Sequence, residues 1–473
     1  MSCPAVGECQ ALLGIPGFAL ETTGILGNCW TFCTPQVLAW LLLWIAGWNC
    51  GQCEDFGSAV PTTTDTSARL LADVSFLASD ELLGRDAVIQ GTIIDVAGIQ
   101  VARDFLIQEL QDMGAVGIDM SSTDPDSYLQ VDTSFPLTNI IGVLVGSDTG
   151  GLANEYVVLG AHYDHLRFCD SSATANSDVC NGATDNAAGV ASILSAGRTL
   201  QELNPRRSIL LTLWDAEEDG LIGSRFFTDD DPIVPLDSIV AYINLDIMGA
   251  NLVPSLRTWS FAIAPETGGA PLERALGRAI EGEGLTMPSL SSLLGQGRSD
   301  YINFENQNVP TVFFSDSNGP CYHTTGDEVE VVDFGKVMSS MLRSNSPQNP
   351  DTRAPDVAQL TKQTRIVTKL AYELAMTLNP PSFTSPLLPA TYNDILSLAD
   401  VVRRVVDSGD IDLLPTEASR ESLRNGMSLL EGIVARGPLL FPLAFLQLDE
   451  LTAAVVTVVN SFPSIVCDGF LSR

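Results

Sequence analysis

The feature that most constrains the fold is an alternation of short apolar runs with helical segments, which begins at Thr138. The apolar runs are NIIGVLVG, EYVVLGAHYDH, RSILLTLWDAEE, SIVAYINLDIMG and VPTVFFSDS, and GVASILSAGRTL has helical spacing. Buried strands that alternate with amphipathic helices are typical of an α/β domain with a largely parallel central sheet. Such sheets carry their sites beyond the carboxyl ends of the strands.

The length of 473 residues exceeds one typical core and predicts a main domain with appendages. We divide the chain into an apolar, Cys- and Trp-rich segment (1–60), a catalytic domain (61–378) and a helical extension (379–473). The catalytic domain begins with helical spacing between Ala68 and Met113. The extension carries no motif with an assignable function, and we expect its helices to pack onto the core.

The amino-terminal segment has no charged residue from Thr22 to Cys53, and its apolar run Val37–Trp48 suits a signal-peptide core better than a membrane span. Four of the six tryptophans lie within residues 30–48, which favours membrane contact there. Because no Lys or Arg precedes Arg69, a misplaced start site or a small disulfide-rich cap remains an alternative. We expect a secreted, periplasmic or membrane-associated protein.

Two of the ten cysteines, Cys169 and Cys180, bracket a polar loop. A disulfide between them would restrict about a dozen residues and would indicate an oxidising compartment. Two free thiols are the alternative.

The formal net charge is −34, from 58 acidic and 24 basic residues. A potential of this sign repels phosphate backbones, so we exclude nucleic acid as a partner. The charge indicates no particular substrate.

Polar residues of metal-binding type follow the predicted strands. His162 ends one apolar run, Glu217 and Glu218 follow the next, Asp246 comes after a third, and His323 lies in the loop after the last. Because parallel strands end at the same edge of a sheet, these side chains are expected to converge. Asp164 would hold the second ring nitrogen of His162.

Asp185 lies just before a predicted helix, where it could simply cap the helix. Its two oxygens could instead bridge two cations about 3.5 to 4 Å apart. One cation would then bind His162 and Asp246, and the other Glu218 and His323. Mixed nitrogen and oxygen donors with open positions suit catalytic zinc. Glu217 would act as the general base toward water activated by the metal.

Six ordered motifs between Ala68 and Leu378 resemble the zinc aminopeptidases of metallopeptidase family 28, relatives of glutamate carboxypeptidase and glutaminyl cyclase. They are AHYDH, GATDNAAGVA, WDAEEDGLIGS, NLDIMG, GRSDYINF and CYHTTGDEVEVVDF. The resemblance implies a three-layer α/β/α sandwich with a mixed sheet, two Zn²⁺ ions, and cleavage at the amino terminus of a peptide or protein. It also implies a tetrahedral-intermediate contact for Tyr322 and a supporting role for Asp300.

The sequence departs from that family at Tyr301, where members often have His, and in the cysteine-flanked insertion before Asp185. Two alternatives stay open. A glutaminyl cyclase shares the scaffold but works with one zinc, and a non-catalytic ectodomain could retain the fold without activity. The oligomeric state is not predicted.

Overall fold

A computed structural model describes residues 65–86, 88–89, 92–93, 97–169, 179–250, 253–317, 321–334, 359–385, 391–414 and 416–437. The chain divides into two compact units, Met1–Glu54 and Asp55–Arg473, and all described residues belong to the second. The predicted signal segment and the membrane contact at residues 30–48 lie outside the described residues. Among the helices that the structure describes, none has the length and apolar character needed to cross a membrane.

Within the described residues, ten strands form two sheets. They are β1 (Val88–Ile89), β2 (Thr92–Ile93), β3 (Leu129–Asp132), β4 (Leu137–Leu144), β5 (Tyr156–His162), β6 (Ser208–Trp214), β7 (Ile239–Leu245), β8 (Phe261–Ile263), β9 (Ser289–Leu290) and β10 (Thr311–Ser315). Strands β1 and β2 pair with each other, and the remaining eight form one sheet in the order β3-β4-β6-β5-β7-β10-β8-β9. The four central strands β6, β5, β7 and β10 run parallel, whereas β4 and β8 flank them antiparallel. The sheet is therefore mixed and largely parallel, as predicted.

Nine α-helices surround the large sheet among the described residues. They are α1 (Asp65–Leu77), α2 (Ala97–Asp112), α3 (Ala188–Leu203), α4 (Ile222–Arg225), α5 (Gly269–Ile280), α6 (Tyr301–Asn306), α7 (Gln359–Met376), α8 (Tyr392–Ser408) and α9 (Glu417–Arg436). Short 3₁₀ and π-helical turns connect several of these elements.

The central strands are apolar on both faces because helices cover both. Neighbouring residues of β5 show this, since Leu159 packs into one buried cluster and Val158 into the other. The first cluster includes side chains of α1, α2, α3, α5 and α7, and the second includes side chains of α6, α8 and α9. The result is the expected α/β/α sandwich, and the carboxyl-terminal helices α8 and α9 form part of its second helical layer.

The strand register aligns the carboxyl ends of the central strands. His162 pairs with Trp214 across β5 and β6, and Gly160 pairs with Asn244 across β5 and β7. The residues that follow these strands therefore emerge at one level of the sheet. The predicted disulfide Cys169–Cys180 is also present, in the loop after β5.

The first prediction concerns Gly160, in the middle of the sheet. A Cβ at this position would lie 2.7 Å from Nε1 of Trp214 and closer still to the hydroxyl of Tyr242. These two buried rings are hydrogen-bonded to each other at 2.9 Å and have little room to move. Gly160→Ala is therefore expected to lower the free energy of unfolding by about 1 to 3 kcal/mol in a denaturant titration.

The matched control is Gly277→Ala on α5, where an added Cβ meets nothing within 4 Å. Alanine favours a helix over glycine by roughly 0.5 to 1 kcal/mol, so this variant should be unchanged or slightly stabilised. Equal stability of the two variants would contradict the packing described here.

Candidate metal centre

The predicted ligands converge at the carboxyl edge of the sheet. His162 is the last residue of β5, Asp246 directly follows β7, and Glu218 follows β6 after a short turn. His323 arrives from the loop after β10, and Asp185 from the turn that precedes α3. All five side chains take part in one network of close contacts.

The two oxygens of Asp185 face different histidines. Oδ1 lies 3.2 Å from Nε2 of His162, and Oδ2 lies 3.2 Å from Nε2 of His323. His162 Nε2 is also 3.3 Å from Oδ1 of Asp246, and His323 Nε2 is 3.2 Å from Oε2 of Glu218. Asp185 thus links two separate groups of donors.

These separations fit cations shared between the donors. Two atoms that bind one tetrahedral zinc at about 2.0 to 2.1 Å lie roughly 3.3 Å from each other. The four distances around Asp185 match that value. Two sets of donor atoms close enough for a metal, His162–Glu217–Asp246 and His165–Asp185–Glu218, occupy the same region. The residues present therefore fit a dinuclear centre.

The conformation of Asp185 is fixed by the chain around it. Helix α3 begins after Ala187 and has no side-chain cap, so capping does not explain Asp185. The carboxylate of Asp327 accepts hydrogen bonds from the amides of Thr184, at 3.0 Å, and Asp185, at 3.1 Å. Gly182 has φ +56°, and a Cβ there would overlap the ring of His165. The turn therefore requires glycine at this close approach.

Glu217 and Glu218 point in different directions, as predicted for neighbouring acids. The backbone amides of both donate to the carboxylate of Asp164, at 3.2 and 3.3 Å. Oε2 of Glu217 lies 4.0 Å from Nε2 of His162, whereas Glu218 contacts His165 and His323. The turn therefore presents one carboxylate to each donor group.

Asp164 lies beside the second ring nitrogen of His162, where it offers both a main-chain and a carboxylate oxygen. Nδ1 of His162 lies 3.0 Å from the main-chain oxygen of Asp164 and 3.5 Å from its carboxylate. The closer acceptor is the main chain, because the carboxylate is engaged with the amides of the Glu217–Glu218 turn. Asp164 orients both the histidine and the turn.

Charges in the centre are strongly coupled. Burial would raise the pKa of Asp185, but His162 and His323 hold it well below its usual range. Burial and Asp185 would raise the pKa of Glu218, but His165 and His323 lower it to about 2. Burial would lower the pKa of His323, but its contacts with Asp185 and Glu218 raise it to about 10. Buried carboxylates of this density need positive charge close by.

Residues 139–341 match the family described as "Peptidase family M28". The part of the chain that carries the candidate metal centre is therefore similar to this family. "Probable glutamate carboxypeptidase LAMP1" of Arabidopsis thaliana is 31% identical over 216 residues, which are 43% of this chain and 29% of that protein. "Leucine aminopeptidase 2" of Trichophyton equinum is 28% identical over 171 residues, which are 35% of this chain and 32% of that protein. The chain thus spans about a third of either relative.

Two solved structures are similar to this chain at low sequence identity. A Zn-dependent exopeptidase from Parabacteroides distasonis is 18% identical, with a TM-score of 0.48 over 66% of this chain and 99% of that one. A glutaminyl cyclase from Porphyromonas gingivalis is 18% identical, with a TM-score of 0.45 over 64% of this chain and 96% of that one.

The candidate metal centre contains two further residues, His165 and Arg85, to which the sequence analysis assigned no role. Nδ1 of His165 lies 2.8 Å from Oε1 of Glu218 and so contacts this carboxylate, and His165 is also among the donors close enough to hold a metal with Asp185 and Glu218. The sequence could have indicated His165, because it lies only three residues after the predicted ligand His162. Arg85 is fully buried and donates to the main-chain oxygens of Tyr163, at 2.7 Å, and Asn181, at 2.8 Å. Arg85 thereby joins the loops that carry His162 and Asp185.

The family resemblance drew attention to Tyr322, Asp300 and Tyr301, and the structure places each of them in a different environment. Tyr322 stacks on His323, with ring centroids 3.8 Å apart, and lines a cavity of about 120 Å³ that opens on the centre. Asp300 is fully buried, and burial raises its pKa to about 7. Tyr301 stacks on Phe313 in the second buried cluster, with ring centroids 5.1 Å apart.

The second prediction is that metal stabilises the fold. Protein stripped with a chelator should unfold at a lower temperature, and added Zn²⁺ should raise the midpoint by roughly 5 °C or more at a hundredfold excess over its Kd. At one fixed concentration of Zn²⁺ the rise should be smaller at pH 5 than at pH 8. The pKa of His323 is raised to about 10 in the metal-free centre, so metal must displace its proton, and the apparent affinity for metal falls as the pH falls. Thermal unfolding at the two pH values measures both effects.

Asp185→Ala should abolish the response to Zn²⁺, since it removes the carboxylate shared by both donor groups. Asp237→Ala, at an exposed aspartate, should keep it. An equal response of both variants would contradict a centre built around Asp185.

Proposed function

We propose that this chain is a di-zinc aminopeptidase that hydrolyses the first peptide bond of its substrate. The observation that carries the proposal is the Asp185 carboxylate between two histidines, with Glu217 beside one of them. The metal ligands would be His162, Asp185, Glu218, Asp246 and His323. Nitrogen and oxygen donors without thiolate suit zinc in such a centre.

In this proposal Glu217 accepts a proton from water. It lines the cavity together with Asp185, and Asp164 holds its backbone amide. Burial, together with the nearby acids Asp246 and Glu218, raises its pKa well above the usual range, although His162 opposes this shift. A carboxyl group with a raised pKa is a better general base near neutral pH. When bound, the two zinc ions would polarise the substrate carbonyl and activate water for the attack.

The charge of the cavity favours a substrate with a free amino terminus. Four carboxylates line it, from Asp185, Glu217, Glu218 and Asp246. An ammonium group is attracted to such a site, and Tyr322 at the wall would donate a hydrogen bond to the oxygen that gains charge. The disulfide Cys169–Cys180 supports the further proposal that the enzyme works outside the cytosol.

A carboxypeptidase is the second candidate, because Arg298 lines the same cavity. Its guanidinium could pair with the terminal carboxylate of a substrate. A glutaminyl cyclase would use one zinc and release ammonia, and a non-catalytic ectodomain would bind no zinc. Metal stoichiometry and substrate requirements separate all four functions.

The third prediction concerns Glu217. Glu217→Gln should lower kcat by roughly 10² to 10⁴-fold, because the amide cannot accept the proton from water. The zinc content should stay at two per chain, measured by elemental analysis of the same samples. The control Glu202→Gln changes an exposed acid on α3 and should leave both values unchanged. Loss of one zinc from Glu217→Gln would instead make Glu217 a ligand.

The fourth prediction concerns the substrate. Aminoacyl anilides with a free amino group should be hydrolysed, the chelated enzyme should be inactive, and added Zn²⁺ should restore it. Acetylated peptides with a free carboxyl terminus should be resistant, and peptides with amino-terminal glutamine should release the amino acid rather than ammonia. Hydrolysis of the acetylated peptides alone would establish the carboxypeptidase, and release of ammonia the cyclase.

A further inference from the structure

The cavity at the metal centre has a charged end and an apolar end. The strand-end carboxylates described above form the charged end. Phe261 and Ile263 of β8 and Phe313 of β10 contribute to the apolar end, and each is at least 93% buried. Leu290 and Leu294 add to it from β9 and the turn that follows. A side chain next to the reacting bond would enter this apolar end.

Two further apolar residues of the cavity come from helix α8. Leu398 and Val401 line it, and both are nearly fully buried. They lie three residues apart, so they occupy one face of the helix. Helix α8 lies outside residues 139–341, the segment that matches family M28. This part of the cavity is therefore built by the carboxyl-terminal helices of the chain.

Side-chain bonds fasten α8 to the cavity wall. Asp394, in its first turn, accepts hydrogen bonds from the amide and the hydroxyl of Ser291, at 2.8 and 2.6 Å. Ser291 directly follows Leu290 in the cavity-lining segment. Near the other end of α8, the guanidinium of Arg404 lies over the ring of Trp259, 4.9 Å from its centroid. The helix is thus held at both ends by neighbours in sequence of cavity-lining residues, since Ser291 follows Leu290 and Trp259 lies two residues before Phe261.

We propose that α8 supplies specificity-determining residues, and that Leu398 and Val401 set the size of the side chain admitted next to the scissile bond. The occupant is a large apolar side chain, branched aliphatic or aromatic. This inference rests on the proposed function, since it takes the carboxylate end of the cavity as the reacting end. The whole cavity, with its charged end, holds about 120 Å³. This is somewhat less than the roughly 150 Å³ of an apolar cavity that binds benzene, so its volume limits the side chain that it admits and removal of wall atoms should widen that limit.

The test compares Leu398→Ala and Val401→Ala with the control Leu396→Ala. Leu396 lies on the same helix, is 41% exposed and does not line the cavity. The measured quantity is kcat/KM for alanyl, leucyl, phenylalanyl and tryptophanyl anilides. The wild type should favour leucyl over alanyl by roughly 10 to 200-fold, since each methylene in an apolar pocket contributes strongly to selectivity.

Both cavity variants should lower the preference for leucyl over alanyl by about tenfold and improve the relative rate on the tryptophanyl substrate. The control should keep the wild-type ratios. Val401→Ala removes fewer atoms than Leu398→Ala, so a ratio can be measured even if the larger truncation does not fold. Active cavity variants with the same ratios as Leu396→Ala would overturn the inference and leave the proposed function standing.

Binding provides a measurement that does not need turnover. The dissociation constants of leucinol and alaninol, from calorimetry with the zinc-loaded proteins, should differ in the wild type and the control. The ratio of the alaninol to the leucinol dissociation constant should be about tenfold smaller in Val401→Ala than in the wild type. If the wild type binds leucinol in this way but hydrolyses no anilide, the aminopeptidase proposal fails and the pocket assignment survives. Equal affinities for the two probes in the wild type would overturn the pocket assignment.

Discussion

The centre depends on one buried carboxylate, Asp185, held between His162 and His323. A buried carboxylate is stable only where hydrogen-bond donors or positive charge surround it. The chain meets part of this requirement with histidines, because, against the effect of burial, contacts with His162 and His323 and the nearby charge of His165 hold the pKa of Asp185 well below its usual range. Cations shared by the two donor groups would supply the remaining positive charge.

The sandwich carries the metal-binding side chains and the apolar half of the cavity on different structural elements. The parallel strands hold the charged side chains at one edge in a register that permits little adjustment. The neighbouring strands β8 and β9, together with α8, build the apolar half of the cavity. A substrate would therefore be bound by its side chain on one structural element and cleaved by groups on another. This division lets selectivity vary without altering the metal centre.

The sequence predicted the parts of the site that depend on chain order. Apolar runs followed by His162 or Asp246 place ligand types at strand ends, and parallel strands bring strand ends together. Spacing could not predict that the main-chain oxygen of Asp164 is the closer partner of His162, because that depends on side-chain direction. Nor could it place Leu398 in the cavity, since helix α8 carries no motif and its position follows from tertiary packing. The role expected for Tyr322 came from the resemblance to family 28, which did not predict that its ring stacks on His323.

Anomalous diffraction from crystals of the zinc-loaded protein, recorded on both sides of the zinc absorption edge, tests the central claim most directly. The account predicts two peaks about 3.5 to 4 Å apart, one on each side of the Asp185 carboxylate. The first should lie beside His162 and Asp246, and the second beside Glu218 and His323. A single peak, or two peaks that do not share Asp185, would contradict it.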